Sequence, residues 1–121
     1  MTDKILKLLA DHAYWSDKKR ELKAESLTEF HSCDGIDTAG EGRDFHSFGK
    51  HCYERANELR NEISTQYYIP SFDECFNEIE PCEHCIRHKE LRKQWAQASR
   101  RLGNVRAAIT RIGRRINESA P

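Results

Sequence analysis

Along this chain, apolar residues recur at three- and four-residue steps in four stretches, the spacing that lines one face of an α-helix. The longest register lies towards the C-terminus. Leu91, Trp95, Ala98, Leu102, Val105, Ile109, Ile112 and Ile116 step alternately by four and three, so every seam position of a heptad pattern is apolar. This register predicts a single helix over 86–118, which at about 1.5 Å per residue would reach roughly 50 Å. Gly103 and Gly113 weaken it, each by about 1 kcal/mol relative to alanine, and Gly103-Asn104 offers an early stop. The unbroken seam argues for continuation, with the small residues marking close approach by a second helix. Arg92, Arg101, Arg106 and Arg115 flank the seam, while Lys93, Arg100, Arg111 and Arg114 sit further out.

Three shorter patterns precede it. Ile5, Leu8, Leu9, His12, Trp15 and Leu22 predict a helix over 3–30 with Thr2 as its cap. Residues 31–44 hold three glycines and no period, and read as a loop. Asp44 suits the cap of a helix over 45–66, whose stripe is Phe45, Phe48, Cys52, Ala56, Leu59 and Ile63. Ile69-Pro70 closes that region, because a residue before proline is pushed out of helical geometry. Ser71 and Glu74 form a capping-box pattern that opens a short helix over 72–80, with Phe72, Cys75, Phe76 and Ile79 on its apolar side and Pro81 beyond. The fold class expected is therefore all-α: one small helical bundle of 121 residues with a long, coiled-coil-like C-terminal helix.

Composition adds little against this. The mean hydropathy is −0.87 and 33% of residues are charged, yet the regular apolar spacing argues for a core and not for disorder. No apolar run approaches the roughly 18 to 20 residues of a membrane span. Met1-Thr2-Asp3-Lys4 lacks a secretory start, so a cytoplasmic location is expected. Charge is more informative. Residues 86–121 carry ten Lys/Arg against Glu90 and Glu118, a net +8, and residues 1–85 carry the compensating −8.

Five cysteines in a chain expected to be cytoplasmic suggest metal ligands or buried thiols more than disulfides. Cys82-Glu83-His84-Cys85 has the spacing of a zinc knuckle, in which two thiolates three positions apart face one tetrahedral ion and the following helix N-terminus favours their charge. Three completions compete. Cys33 and Cys52 can join the pair if a helical hairpin brings those regions together, giving Cys33, Cys52, Cys82 and Cys85 around Zn2+. A local set of Cys75, Cys82, Cys85 and His88 is the second. The third shares the pair between two chains. The plainer reading is that Cys52 and Cys75 are buried thiols, since each falls on its helix's apolar stripe, where a thiol is simply a small core residue. A redox Cys-x-x-Cys would need a strand–helix setting that this chain does not show.

A lone cysteine, Cys52-Tyr53, Cys82-x-x-Cys85 and a basic helix carrying Gln97-Ala98-Ser99-Arg100-Arg101-Leu102-Gly103 and Ile109-Thr110-Arg111-Ile112-Gly113-Arg114-Arg115 together resemble small uncharacterised proteins of tailed phages and prophages. The resemblance runs from about Cys52 onward and leaves Cys75 outside its pattern. It implies the four-cysteine set, a phage-like origin and the cytoplasm of a host.

No phosphate-cradling loop or metalloprotease motif is present, and Gly40-Glu41-Gly42 is too short and acidic to cradle phosphate. His31, His46 and His51 with Asp34, Asp37 and Asp44 can be imagined around a catalytic metal, and Cys33 near His31 as a nucleophile pair. Such residues beside a loop are more commonly solvated or supporting, and no enzyme is expected. The leading expectation is a zinc-stabilised protein-binding module. Its long helix, bearing Arg100, Arg101, Arg106, Arg111, Arg114 and Arg115, or its acidic 73–83 segment docks on a larger host complex, such as CRISPR or other nucleic-acid machinery that it inhibits or redirects. The unbroken seam also suggests a homodimer. The alternative is nucleic-acid binding through the same arginines. Overall neutrality, arginines spread around the helix and the lack of an aromatic residue after Trp95 count against it.

Overall fold

The computed structural model describes residues 2–37 and 50–119. The protein is all-α: α1 is Thr2–His31, α2 Asp34–Asp37, α3 Cys52–Ile63, α4 Phe72–Glu78 and α5 Glu83–Ser119, and no strand occurs among the described residues. No helix is long and apolar enough to cross a membrane.

The long C-terminal helix forms without a break, and it begins three residues earlier than its seam predicts. Cys82 sits at its cap, its carbonyl accepting from Ile86 N–H at 3.1 Å. The other boundaries shift for local reasons. The expected helix over 45–66 starts only at Cys52. Its expected cap Asp44, with Phe45 and Phe48, lies outside the described residues. His51 is extended and caps α3 itself, its Nδ1 accepting from Tyr53 N–H at 3.1 Å. α3 stops at Ile63, before the proline could act. Ser64 and Thr65 compete with the helix for the backbone: the Ser64 hydroxyl donates to Arg60 O, and Thr65 Oγ1 accepts from Tyr67 and Tyr68 N–H. The 31–44 loop contains one helical turn, α2, that its sequence did not suggest. α4 ends at Glu78; Glu80 adopts φ 52°, the left-handed turn that breaks the path before Pro81. Half of the expected capping box is present. Ser71 Oγ accepts from Glu74 N–H at 3.2 Å, while the Glu74 carboxylate accepts from the Tyr68 hydroxyl at 2.9 Å.

The chain forms two compact units, Met1–Ala24 with Leu91–Pro121, and Glu25–Glu90. The first is an antiparallel helical hairpin. Leu22 packs with Leu91 and Ala98, Lys19 lies over the Trp95 ring, Arg101 lies over Trp15, and Arg106 Nε donates to His12 Nε2 at 3.4 Å. Residue numbers fall along α1 as they rise along α5, and the seam faces this partner. Leu91, Ala98 and Leu102 are buried, Val105, Ile109 and Ile112 half-buried, and Ile116 is 56% exposed.

Gly103 and Gly113 do not mark close packing within this hairpin, since a Cβ at either would meet nothing within 4 Å. They therefore only weaken the helix. Gly103→Ala is expected to raise stability by about 0.5–1 kcal/mol, read as an upward shift of the denaturant midpoint with an unchanged slope.

The second unit packs α3 and α4 around Cys33, Cys52, Ala56, Cys75, Phe76 and Cys85, with Tyr53, Leu59, Phe72 and Ile79 at its margin. Arg60 Nε donates to Pro70 O at 2.9 Å and Arg55 donates to Ile79 O at 3.2 Å, so α3 holds both ends of the segment that carries α4. Buried His88 donates from Nδ1 to Ser26 O at 2.7 Å, joining the two long-helix segments within this unit.

Candidate metal centre

Helix ends deliver the sulfurs. Cys33 lies just beyond the last residue of α1, Cys52 opens α3, Cys82 caps α5 and Cys85 sits in its first turn. A residue at a helix end can aim its side chain at a common point without interrupting the helix's own hydrogen bonds. The structure brings Cys33, Cys52, Cys82 and Cys85 together, all four Sγ atoms within 4.8 Å of one another. Cys33 Sγ is 3.6 Å from Cys52 Sγ and 3.9 Å from Cys82 Sγ. A disulfide would need about 2.05 Å, and no cysteine is bridged. Four thiolates about 2.3 Å from a tetrahedral ion stand about 3.8 Å apart, and the observed separations straddle that edge.

The backbone suits thiolates as well. Cys52 N–H points at Cys33 Sγ at 3.5 Å, and Cys82 N–H at Cys52 Sγ at 3.4 Å. Burial opposes ionisation of Cys82, but hydrogen bonds from the Asp34 and Cys85 backbones, with thiol contacts from Cys85 and Cys52, outweigh it and hold this thiol below its ordinary value. Burial pushes Cys52 and, more strongly, Cys85 upward. Among the shifted thiols of the cluster, Cys82 is thus the one whose surroundings favour the thiolate.

No known protein family, curated protein or solved structure matches this chain.

Of the residues weighed from sequence, Cys75 and His88 do not join the cluster. Cys75 is a buried core thiol on α4, and His88 is held at Ser26. His51, considered for a catalytic metal, has both ring nitrogens committed. Nδ1 accepts from Tyr53 N–H, and Nε2–H donates to Phe30 O at 2.8 Å. Its ring stacks on Phe30 and lies about 4 Å from Cys85 Sγ, closing one side of the cluster. His31 and Asp34 are exposed, and Asp44, His46 and the Asp37 side chain lie outside the described residues.

Two supports were invisible in the sequence. At Gly35 a Cβ would stand 2.2 Å from the Lys50 carbonyl oxygen, so only glycine lets α2 lie against the strand of backbone leading into Cys52. Glu29 accepts from His84 Nδ1–H at 2.8 Å and from Arg87 Nε at 3.2 Å, tying the last turn of α1 to the first turns of α5. The Glu29 hydrogen bond raises the His84 pKa above the ordinary imidazole value, against a smaller opposing effect of burial.

The six arginines assigned to partner binding are all exposed. Arg101 and Arg106 are engaged with Trp15 and His12, and the other four make no ion pair among the described residues.

Proposed function

We propose that the protein is a non-catalytic docking module whose Glu25–Glu90 unit is held together by one structural zinc ion. The observation that carries this reading is the closed donor set, four sulfurs converging from three separate helix ends. Sulfur donors in a tetrahedral arrangement select zinc over calcium or magnesium. With all four positions taken by the protein, no coordination site is left for water or substrate, which is how structural zinc differs from catalytic zinc.

The docking surface we favour lies on this same unit. Ile63, Tyr67, Tyr68 and Ile69 form a run of exposed apolar side chains, with Tyr67 90% and Ile69 68% exposed. Tyrosine contributes large contact area at low entropic cost and is enriched where binding energy concentrates. Glu54 and Glu62 are exposed on α3, the helix that leads into this segment, and Glu58 between them is paired with Lys50, so the partner expected is a protein with an apolar pocket and a basic rim.

Elemental analysis of purified protein tests the metal, and one zinc per chain is expected. A ratio near zero after purification without chelators would sink the proposal. For the surface, partner capture from host extract is expected to fall at least tenfold in a Tyr67→Ser, Ile69→Ser double variant that keeps its zinc. Undiminished capture would rule the surface out.

A further inference from the structure

The pairing of helices changes the charge picture. The hairpin, residues 1–24 with 91–121, holds fourteen Lys/Arg against five Asp/Glu, a net +9, and residues 25–90 carry −9. A chain that is neutral on average is therefore a strongly basic hairpin joined to a strongly acidic unit. The arginines are also less scattered than their numbering suggests. At about 100° per residue, Lys93, Arg100, Arg111 and Arg114 fall within an arc of about 60° on the side of α5 opposite its apolar seam, with Arg115 about 40° beyond it towards the seam. Of the four arginines that flank the seam, Arg101 and Arg106 are already engaged with α1.

At the far end of the hairpin, Lys4 joins Arg111 and Arg115 around a groove of about 350 Å³ whose floor is Ala108 and Ile112. Three cations converge there with no carboxylate lining the groove. Between Arg100 and Arg111 the outer face carries Asn104 and Ala107, neither bulky enough to hold a partner's backbone away.

We infer that the outer face of α5, with Lys4, binds the phosphate backbone of a nucleic-acid duplex without reading its sequence. Between Lys93 and Arg115 α5 carries no carboxylate, Glu118 following one turn later, and arginine and lysine suit phosphate oxygens, which carry no sequence information. The row from Lys93 to Arg114 spans about 30 Å, close to one turn of a duplex. No aromatic residue follows Trp95, so the stacking platforms that single strands require are missing. A second copy of the hairpin is a poor occupant, because it would set +9 against +9. This surface is separate from the Tyr67–Ile69 segment, and the inference does not depend on a protein docking there.

The test uses full-length zinc-loaded protein and fluorescence anisotropy with mixed-sequence duplexes of DNA and of RNA. Binding is expected at about 50 mM salt for at least one of the two, and it should weaken with a log–log slope near −4 if some four or five phosphates are neutralised. Arg111→Ala with Arg114→Ala is expected to cost about tenfold in affinity and to reduce the slope by about 2. Arg55→Ala, which removes one positive charge from the other unit, should leave affinity within about twofold. Helix content and zinc content verify folding, and alanine favours the helix at both positions. The inference is overturned if neither duplex binds at low salt, if the double variant binds as well as the parent, or if an acidic peptide of equal charge binds more tightly than the duplexes. The last outcome would assign the arginines to an acidic protein.

Discussion

Cys33→Ser is expected to lower the zinc content from one ion per chain to below about a tenth, and to replace a sharp melting transition with a broad one. Cys33, Cys52 and Cys85 are three of the six residues at the centre of the second unit, so its core and its candidate metal site are largely one object. Structural zinc contributes apparent binding energies of about 10–16 kcal/mol near neutral pH, more than a small helical core supplies alone. The same loss is expected for Cys52→Ser, Cys82→Ser and Cys85→Ser. Cys75→Ala is the discriminating control. It removes an equally buried thiol from the same core, and it should retain one zinc at a cost of about 1 kcal/mol. Loss of zinc in Cys75→Ala, or retention in Cys33→Ser, would reassign the ligands. Acidification should act like the ligand substitutions, because protons compete with the ion for sulfur.

The second large effect is expected from one methyl group. Gly35→Ala should destabilise the protein by on the order of 3 kcal/mol and weaken zinc affinity by about a hundredfold. A Cβ at this position would lie 2.2 Å from the Lys50 carbonyl oxygen and 3.6 Å from Cys33 Sγ. The obstacle is backbone, so no side-chain rotation relieves it. Relief requires moving residues 34–35 away from residues 50–52, which separates Cys33 from Cys52. Competition with a calibrated zinc chelator measures the affinity, and chemical denaturation of the zinc-loaded variant measures the stability. Values matching the parent in both would show that the close approach is not needed.

Much of this arrangement was legible before the structure, for identifiable reasons. The α5 seam is a repeated burial signal, and Gly103 could not end the helix because the apolar period continues undisturbed to Ile116. Cys33, Cys52 and the Cys82/Cys85 pair could be grouped because each was expected close to a helix end. The role of Gly35 was not legible, since it depends on a carbonyl fifteen residues away in sequence. His51 looked like a candidate ligand because imidazole chemistry is visible in a sequence, while its two backbone partners at Phe30 and Tyr53 are tertiary facts. The start of α3 was misplaced for a related reason: the apolar stripe from Phe45 carries no mark of the extended backbone at His51. The charge segregation required knowing which stretch of α1 pairs with α5, which a count by linear segment could only approximate.

The order of the four sulfurs along the chain carries a consequence for biosynthesis. Cys82 is thirty residues later than Cys52, so at about 5–20 residues per second the ribosome delivers it roughly two to six seconds afterwards. In that interval Cys33 and Cys52 are two free thiols without the Cys82/Cys85 pair, open to an oxidant before four sulfurs can hold a cation. The yield of correctly assembled protein should therefore depend on the thiol-reducing capacity of the producing cell as much as on its zinc supply.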